Sequence, residues 1–221
     1  MRIGIFGHSD AVFRTSVKNG YRNVGDVVAD TFPNDQIDWF GVGQCSAERL
    51  LLLLQKHKNY DFYLIFHSSY SYMYCPSWNR DTHISDMTRA AKNKKIEKTY
   101  YEMLQSTGNS IDSWSPMIIN WIPDKKVLMN RWISTTLLIS NFCLGKNTKH
   151  VYMDFRTTKF LDKDLVSHKL SEYLLNRKNW QEKHRYDNHA IYKHDKEIHI
   201  NLFSNLICEE IQCFKNSLSS F

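Results

Sequence analysis

Five consecutive apolar residues, Phe62-Tyr63-Leu64-Ile65-Phe66, follow Asp61 and run into the polar pair His67-Ser68. A run of this length, too short for a buried helix and bounded by polar residues, suits a strand covered on both faces. Strands of that kind belong to parallel sheets, where crossover helices lie above and below. The chain is thereby steered toward an α/β architecture.

The segments before this run agree. Arg2 to Phe6 reads as a short buried strand that turns at Gly7-His8-Ser9-Asp10. Val24, Val27, Val28 and Phe32 recur at helical spacing and predict a helix from about Asn23 to Thr31. Pro33-Asn34-Asp35 is a turn. Ile37 to Val42 is a second strand, closed by Gly41 and Gly43. Ser46 then caps a helix reaching about His57, with Glu48 in its first turn. The block Leu50 to Leu54 predicts a helix buried on most sides. Strand and helix alternate, which argues for a doubly wound, flavodoxin-like parallel sheet with helices on both faces.

Beyond Phe66 the pattern loosens. Residues His67 to Lys95 are aromatic and irregular, and read as a loop that covers something. Helical patterns follow at Ile96 to Gln105 and within Trp114 to Cys143, broken near Pro123. A block from about 85 to 145 is a plausible helical lid inserted into one domain of 1–221. Val151-Tyr152-Met153 is a fourth strand, and Val166 to Leu175 a helix. Ile191 fits a short fifth strand. Leu202, Leu206, Ile207 and Ile211 mark a last helix from about Asn201 to Lys215.

The 221 residues carry a net charge of +6, with Lys and Arg spread along the chain and densest at Lys92 to Lys98. That spread fits a solvated basic face better than a nucleic-acid surface. Five scattered cysteines form no CxxC pair, so neither a disulfide framework nor a zinc ribbon is indicated. The reducing cytoplasm is the expected compartment. No apolar run reaches the ~20 residues of a membrane-spanning helix, and the start shows no signal-peptide pattern. Abundant Lys, Asn and Ile fit an AT-rich genome. A phage or other virus is one source of that kind, which widens the compartment to a host cytoplasm or a virion.

Ser9 stands just past the first strand, and His199 precedes the last predicted helix. A hydroxyl and an imidazole brought to one edge of a sheet make a nucleophile and its base. His8 and His67, each at a strand's C-terminal tip, would face the crevice where open α/β sheets bind ligands. A structural role for His67 stays open. His184, His189, His194 and His199 step by five, about 140° on a helix, so they share no face and indicate no metal site. Tyr70-Ser71-Tyr72-Met73-Tyr74-Cys75-Pro76-Ser77-Trp78 would hang over the crevice. Its rings and hydroxyls suit stacking on sugars, or packing within the protein.

These segments, in this order, resemble the SGNH (GDSL-type) hydrolases over nearly the whole chain. The resemblance lies in Gly7-His8-Ser9, Gly41-Val42-Gly43 before a helix, the strand ending at His67, and Asp195 to Asn201 before the last helix. It implies Ser9 as nucleophile, with His8 in place of the family's usual acid. It implies a backbone N–H from Gly41 or Gly43 in the oxyanion hole, where a glycine permits close approach. The family's third block carries an asparagine side-chain donor. Here the stretch is His67-Ser68-Ser69-Tyr70, so Ser69 or Ser68 stands in its place. The fourth block, Asp-x-x-His, falls on His199. Lys196 occupies the acid's position, and Asp195 or Glu197 is left to orient the ring.

The resemblance implies an esterase with no metal or organic cofactor, acting on a small-molecule or glycan ester such as an acetylated sugar. The alternative is a binding or structural protein, viral or phage in origin, that keeps the fold without the chemistry. Neither reading fixes an oligomeric state, involves a membrane or calls for nucleic acid.

Overall fold

In the computed structural model, residues 1–7, 24–41, 45–68, 72–75, 80–83, 125–152, 162–183 and 189–219 are described; at 72–75, 80–83, 125, 127, 177–183 and 189–199 this extends to the backbone alone. β1 (Arg2–Gly7), α1 (Val24–Thr31), β2 (Gln36–Gly41), α2 (Ala47–Lys56) and β3 (Phe62–His67) alternate as the sequence predicts. A hairpin of β4 (Tyr72–Cys75) and β5 (Arg80–His83) follows. Then come α3 (Lys125–Phe142), β6 (Thr148–Tyr152), a 3-10 turn (Lys163–Leu165), α4 (His168–Lys183) and α5 (His189–Leu218).

β2, β1, β3 and β6 form, in that order, one parallel sheet. The chain first places β2 on one side of β1 and then turns back to place β3 and β6 on the other. The reversal leaves a switch point between the C-terminal ends of β1 and β3, where ligands bind in open α/β sheets. β3 is central, and all six of its residues are buried.

Its alternate residues feed two cores. Phe62, Leu64 and Phe66 join Ile3, Ile5, Val28, Leu170, Phe203 and Ile207 on the face covered by α1, α4 and α5. Tyr63 and Ile65 join Phe6, Leu50, Leu54, Trp132 and Ile139 on the face covered by α2 and α3. The result is a three-layer α/β/α arrangement with helices on both faces. Ser46 caps α2 as expected, its hydroxyl accepting the Arg49 N–H at 3.3 Å, a contact that typically contributes about 1 kcal/mol.

At the free edge of β6, the Ser167 N–H donates to the His150 carbonyl at 2.9 Å. The Tyr152 N–H donates to the Ser171 hydroxyl at 3.0 Å. The 166–171 segment thus occupies groups that a bare edge strand would expose.

Several expectations change. Ile191 lies in helix, and the last helix starts at His189 rather than near Asn201. A hairpin forms inside the stretch read as irregular. The leucine block is not buried on most sides: Leu50 and Leu54 are enclosed, while Leu52 is 48% exposed. α3, the C-terminal part of the block read as a lid, packs on the sheet through Trp132 and Ile139. Residues 85–124 of that block lie outside the described residues.

Candidate functional site

Gly7 is fixed by backbone geometry. Its φ of +144° is a conformation that side chains oppose, and a Cβ there would stand 2.4 Å from the Phe66 carbonyl oxygen. β1 and β3 therefore end in close contact. Gly41 of β2, Gly7 of β1, Phe66 of β3 and Val151 of β6 are successive register partners and form one rung across the sheet. Beyond that rung, His67 and Tyr152 continue the sheet at its C-terminal edge.

His67 and Tyr152 occupy the next rung. His67 Nε2 and His150 Nδ1 are 2.9 Å apart, with one nitrogen carrying the shared proton. The Tyr152 ring stacks on His67 with centroids 4.4 Å apart and planes 15° from parallel. All three side chains are essentially inaccessible to solvent. His150 lies two residues before Tyr152, so both point to the α2/α3 side, opposite Val151. Burial pulls the His150 pKa down to about 4, leaving the ring neutral. Burial also pushes the Tyr152 phenol well above its ordinary value, with Cys143 acting the same way. The His67–His150 hydrogen bond and the stacked Tyr152 ring thus clamp the ends of β3 and β6 together.

Two side-chain atoms here, His150 Nε2 and the Tyr152 hydroxyl, are buried without a hydrogen-bond partner. So is the Ser68 hydroxyl, on the first residue after β3. Buried polar groups are rarely left unpaired, which makes this edge chemically unusual.

α5 reaches the same edge from the other face. Phe203 meets Phe66 with ring centroids 5.8 Å apart, and Phe214 stacks on Phe62 at 4.8 Å. The helix therefore descends from the C-terminal edge toward the N-terminal edge. Position 199 is four residues before Phe203, one turn or ~6 Å higher. That is about the height gained by the two residues from Phe66 to Ser68. His199 thus lies within α5, ten residues past its start, and not at its mouth as expected. Asp195 is one turn before it. Helical positions i and i+4 are surface neighbours, whereas Glu197, two residues away, falls on a different side.

Of the residues singled out from sequence, Gly41 and His67 are brought to neighbouring rungs and the backbone at His199 to about one turn above them, while Asp195 lies a further turn of α5 beyond the edge. His8, Ser9, Gly43 and Ser69 lie outside the described residues. Sequence reasoning missed His150 and Tyr152. Their spacing of two is the signal for a shared strand face; the fourth strand was read from Val151-Tyr152-Met153, whereas it begins at Thr148 and so includes His150. Among the described residues, no cluster of three or more His, Cys, Asp or Glu is placed to hold a metal ion. No described helix is long and apolar enough to cross a membrane. A groove of about 440 Å³ opens at the opposite edge of the sheet, beside Met1, Asp61 and Lys215. Its charged groups are engaged already: Asp61 accepts the Arg2 N–H and Lys215 binds Asp35.

No family model matches this chain, and no curated protein matches it.

Proposed function

We propose that the chain is an SGNH-like serine hydrolase that cleaves an ester at the C-terminal edge of its sheet. One observation carries the reading: the switch point and the turn of α5 bearing position 199 share a level. Gly7 delivers the chain to that switch point, and Ser9 follows two residues later, a length of chain that reaches no more than ~7 Å.

In this reading the Ser9 hydroxyl oxygen attacks the ester carbonyl carbon while His199 takes its proton. The C–O bond to the alcohol then breaks, and the departing alkoxide receives that proton from His199. Water attacks the acyl-enzyme through the same base, releasing the acid and restoring Ser9. Asp195, one helical turn from His199, orients the ring. Backbone N–H groups near Ser9 and Gly41 or Gly43 stabilise the oxyanion. His8 and Ser69 are assigned to substrate contact in this reading, and a small-molecule or glycan ester is the expected substrate.

The test uses a fluorophosphonate probe and p-nitrophenyl acetate. The wild-type chain becomes labelled and turns over substrate, and Ser9→Ala abolishes both. A wild-type chain that neither labels nor turns over is a binding protein of the same fold. The buried His67 ring favours that second reading, because it leaves this tip of β3 without an accessible imidazole.

A further inference from the structure

The two edges of the sheet are finished differently. On β6 the 166–171 segment takes up outward backbone groups, the Ser167 N–H donating to the His150 carbonyl at 2.9 Å. Among the described residues, no strand pairs with the outer edge of β2. The Gln36 N–H donates inward, to the Met1 carbonyl at 2.9 Å. Backbone groups alternate in direction along a strand. Asp38 and Phe40 therefore also face β1, while the N–H and C=O of Ile37, Trp39 and Gly41 point away from it.

Natural edge strands are blunted by lysine, proline, a bulge or very short length. β2 has six residues, pairs with β1 without a bulge, and contains no lysine, arginine or proline. Its one charge is held within the chain: the Asp38 carboxylate accepts the Tyr60 hydroxyl and a Gln36 side-chain N–H, each at 2.8 Å.

This edge is complementary to itself. In an antiparallel pair, directly opposed residues at alternate positions exchange both backbone hydrogen bonds. Two copies of β2 related by a twofold axis at Trp39 set Trp39 against Trp39 and Ile37 against Gly41, so every outward N–H meets a carbonyl. Between these pairs Asp38 faces Phe40 of the second copy. A register centred on Asp38 would instead oppose two carboxylates, which is unfavourable. The Trp39 rings would meet on the α1/α5 face, where Trp39 packs partly buried against the first core, and cross-strand aromatic pairs are favourable. A twofold axis is also the commonest symmetry by which identical chains associate.

We infer that β2 is a homodimer interface, through which two copies of this chain join their sheets edge to edge, antiparallel, about an axis at Trp39. The C-terminal edges of the two halves then face opposite directions, so neither copy covers the other's candidate site.

The experiment uses the full-length chain in sedimentation velocity from ~1 to ~100 μM, with amide hydrogen exchange at both ends of that range. A concentration-dependent dimer is expected. Exchange at Ile37, Trp39 and Gly41 slows about tenfold as it forms, while that at Asp38 and Phe40, bonded to β1 in either state, changes less. Ile37→Pro removes an outward N–H that the monomer does not use and should raise the dimer Kd about tenfold or more. Trp39→Lys opposes two ammonium groups and should leave a monomer. Leu52→Lys, on the exposed side of α2, should dimerise as wild type. A wild-type chain that stays monomeric overturns the inference and leaves the edge to a strand of another protein. A dimer lost in Leu52→Lys but kept in Ile37→Pro overturns it in favour of the α2 face. If far-UV circular dichroism shows either β2 variant unfolded, the wild-type exchange pattern decides: a dimer with exchange at Ile37, Trp39 and Gly41 unchanged from the monomer overturns the inference.

Discussion

His150 ties the acid sensitivity of the fold to one buried ring. In the unfolded chain its imidazole titrates near 6.5, and in the folded protein near 4. Between these values the unfolded state holds a proton that the folded state refuses. Stability is therefore complete above about pH 6.5 and declines as pH falls toward 4. The full loss from this one ring is ~3 kcal/mol. Urea midpoints measured from pH 7 to pH 4.5 should fall steadily, and His150→Gln should show a clearly shallower decline. Equal slopes in the two proteins would remove His150 as the cause. None of this was visible in the chain alone. His67 announced itself by ending an apolar run, whereas His150 sits in the polar start Thr148-Lys149-His150, just before the residues from which the fourth strand was read. Their meeting depends on the register of β3 against β6, which joins residues 83 apart in sequence.

Among the elements, α5 shows most clearly what patterning conveys and what it conceals. Its C-terminal half was legible, because Leu206, Ile207 and Ile211 recur at helical spacing against the core, although Leu202, read with them, is 49% exposed. Its N-terminal half was not: Tyr192-Lys193-His194-Asp195-Lys196-Glu197 carries no apolar stripe, so the helix start went unread and Ile191 passed for a strand. β1, β2 and β3 were readable for the opposite reason, since buried parallel strands are short apolar runs. The lower end of α5 is held by charge. Lys215 Nζ lies 2.5 Å from Asp35, and the amino-terminal nitrogen lies 3.0 Å from the same carboxylate. Burial alone would raise the Asp35 pKa, but the hydrogen bonds from Lys215 and the amino terminus outweigh it and hold the carboxyl below its usual 3.8. Asp35→Asn would leave two ammonium groups facing a neutral amide. With Lys215 about a third exposed and its charge partly screened, the expected cost is about 2 kcal/mol at pH 7. Because the carboxylate's contribution fades only as pH drops below 3.8 and through the lowered folded value, the deficit should persist from pH 7 to 5. A urea midpoint unchanged by the substitution would show that apolar packing alone docks the helix.

At the scale of the whole molecule, the two cores share one set of strands. β1 gives Ile3 and Ile5 to one and Phe6 to the other, while β3 gives Phe62, Leu64 and Phe66 to one and Tyr63 and Ile65 to the other. Neither helical layer can leave without exposing alternate residues of strands that the opposite layer still needs. Chains above about 150 residues often unfold through intermediates, but this shared ladder opposes independent loss of either face. Ile5→Ala and Ile65→Ala remove fully buried side chains from opposite faces, and each should cost about 2–5 kcal/mol. Trp39 packs against the first core and Trp132 lies in the second, so tryptophan fluorescence reports on both while far-UV circular dichroism reports on the helices. The two signals should trace one coincident urea transition in wild type, and both should shift together in each variant. A fluorescence change that precedes the loss of helix in only one of the two variants would mean that the faces melt separately. The edge joining Gly7, Phe66 and the clamp of His67 and His150 would then be rigid on one side alone.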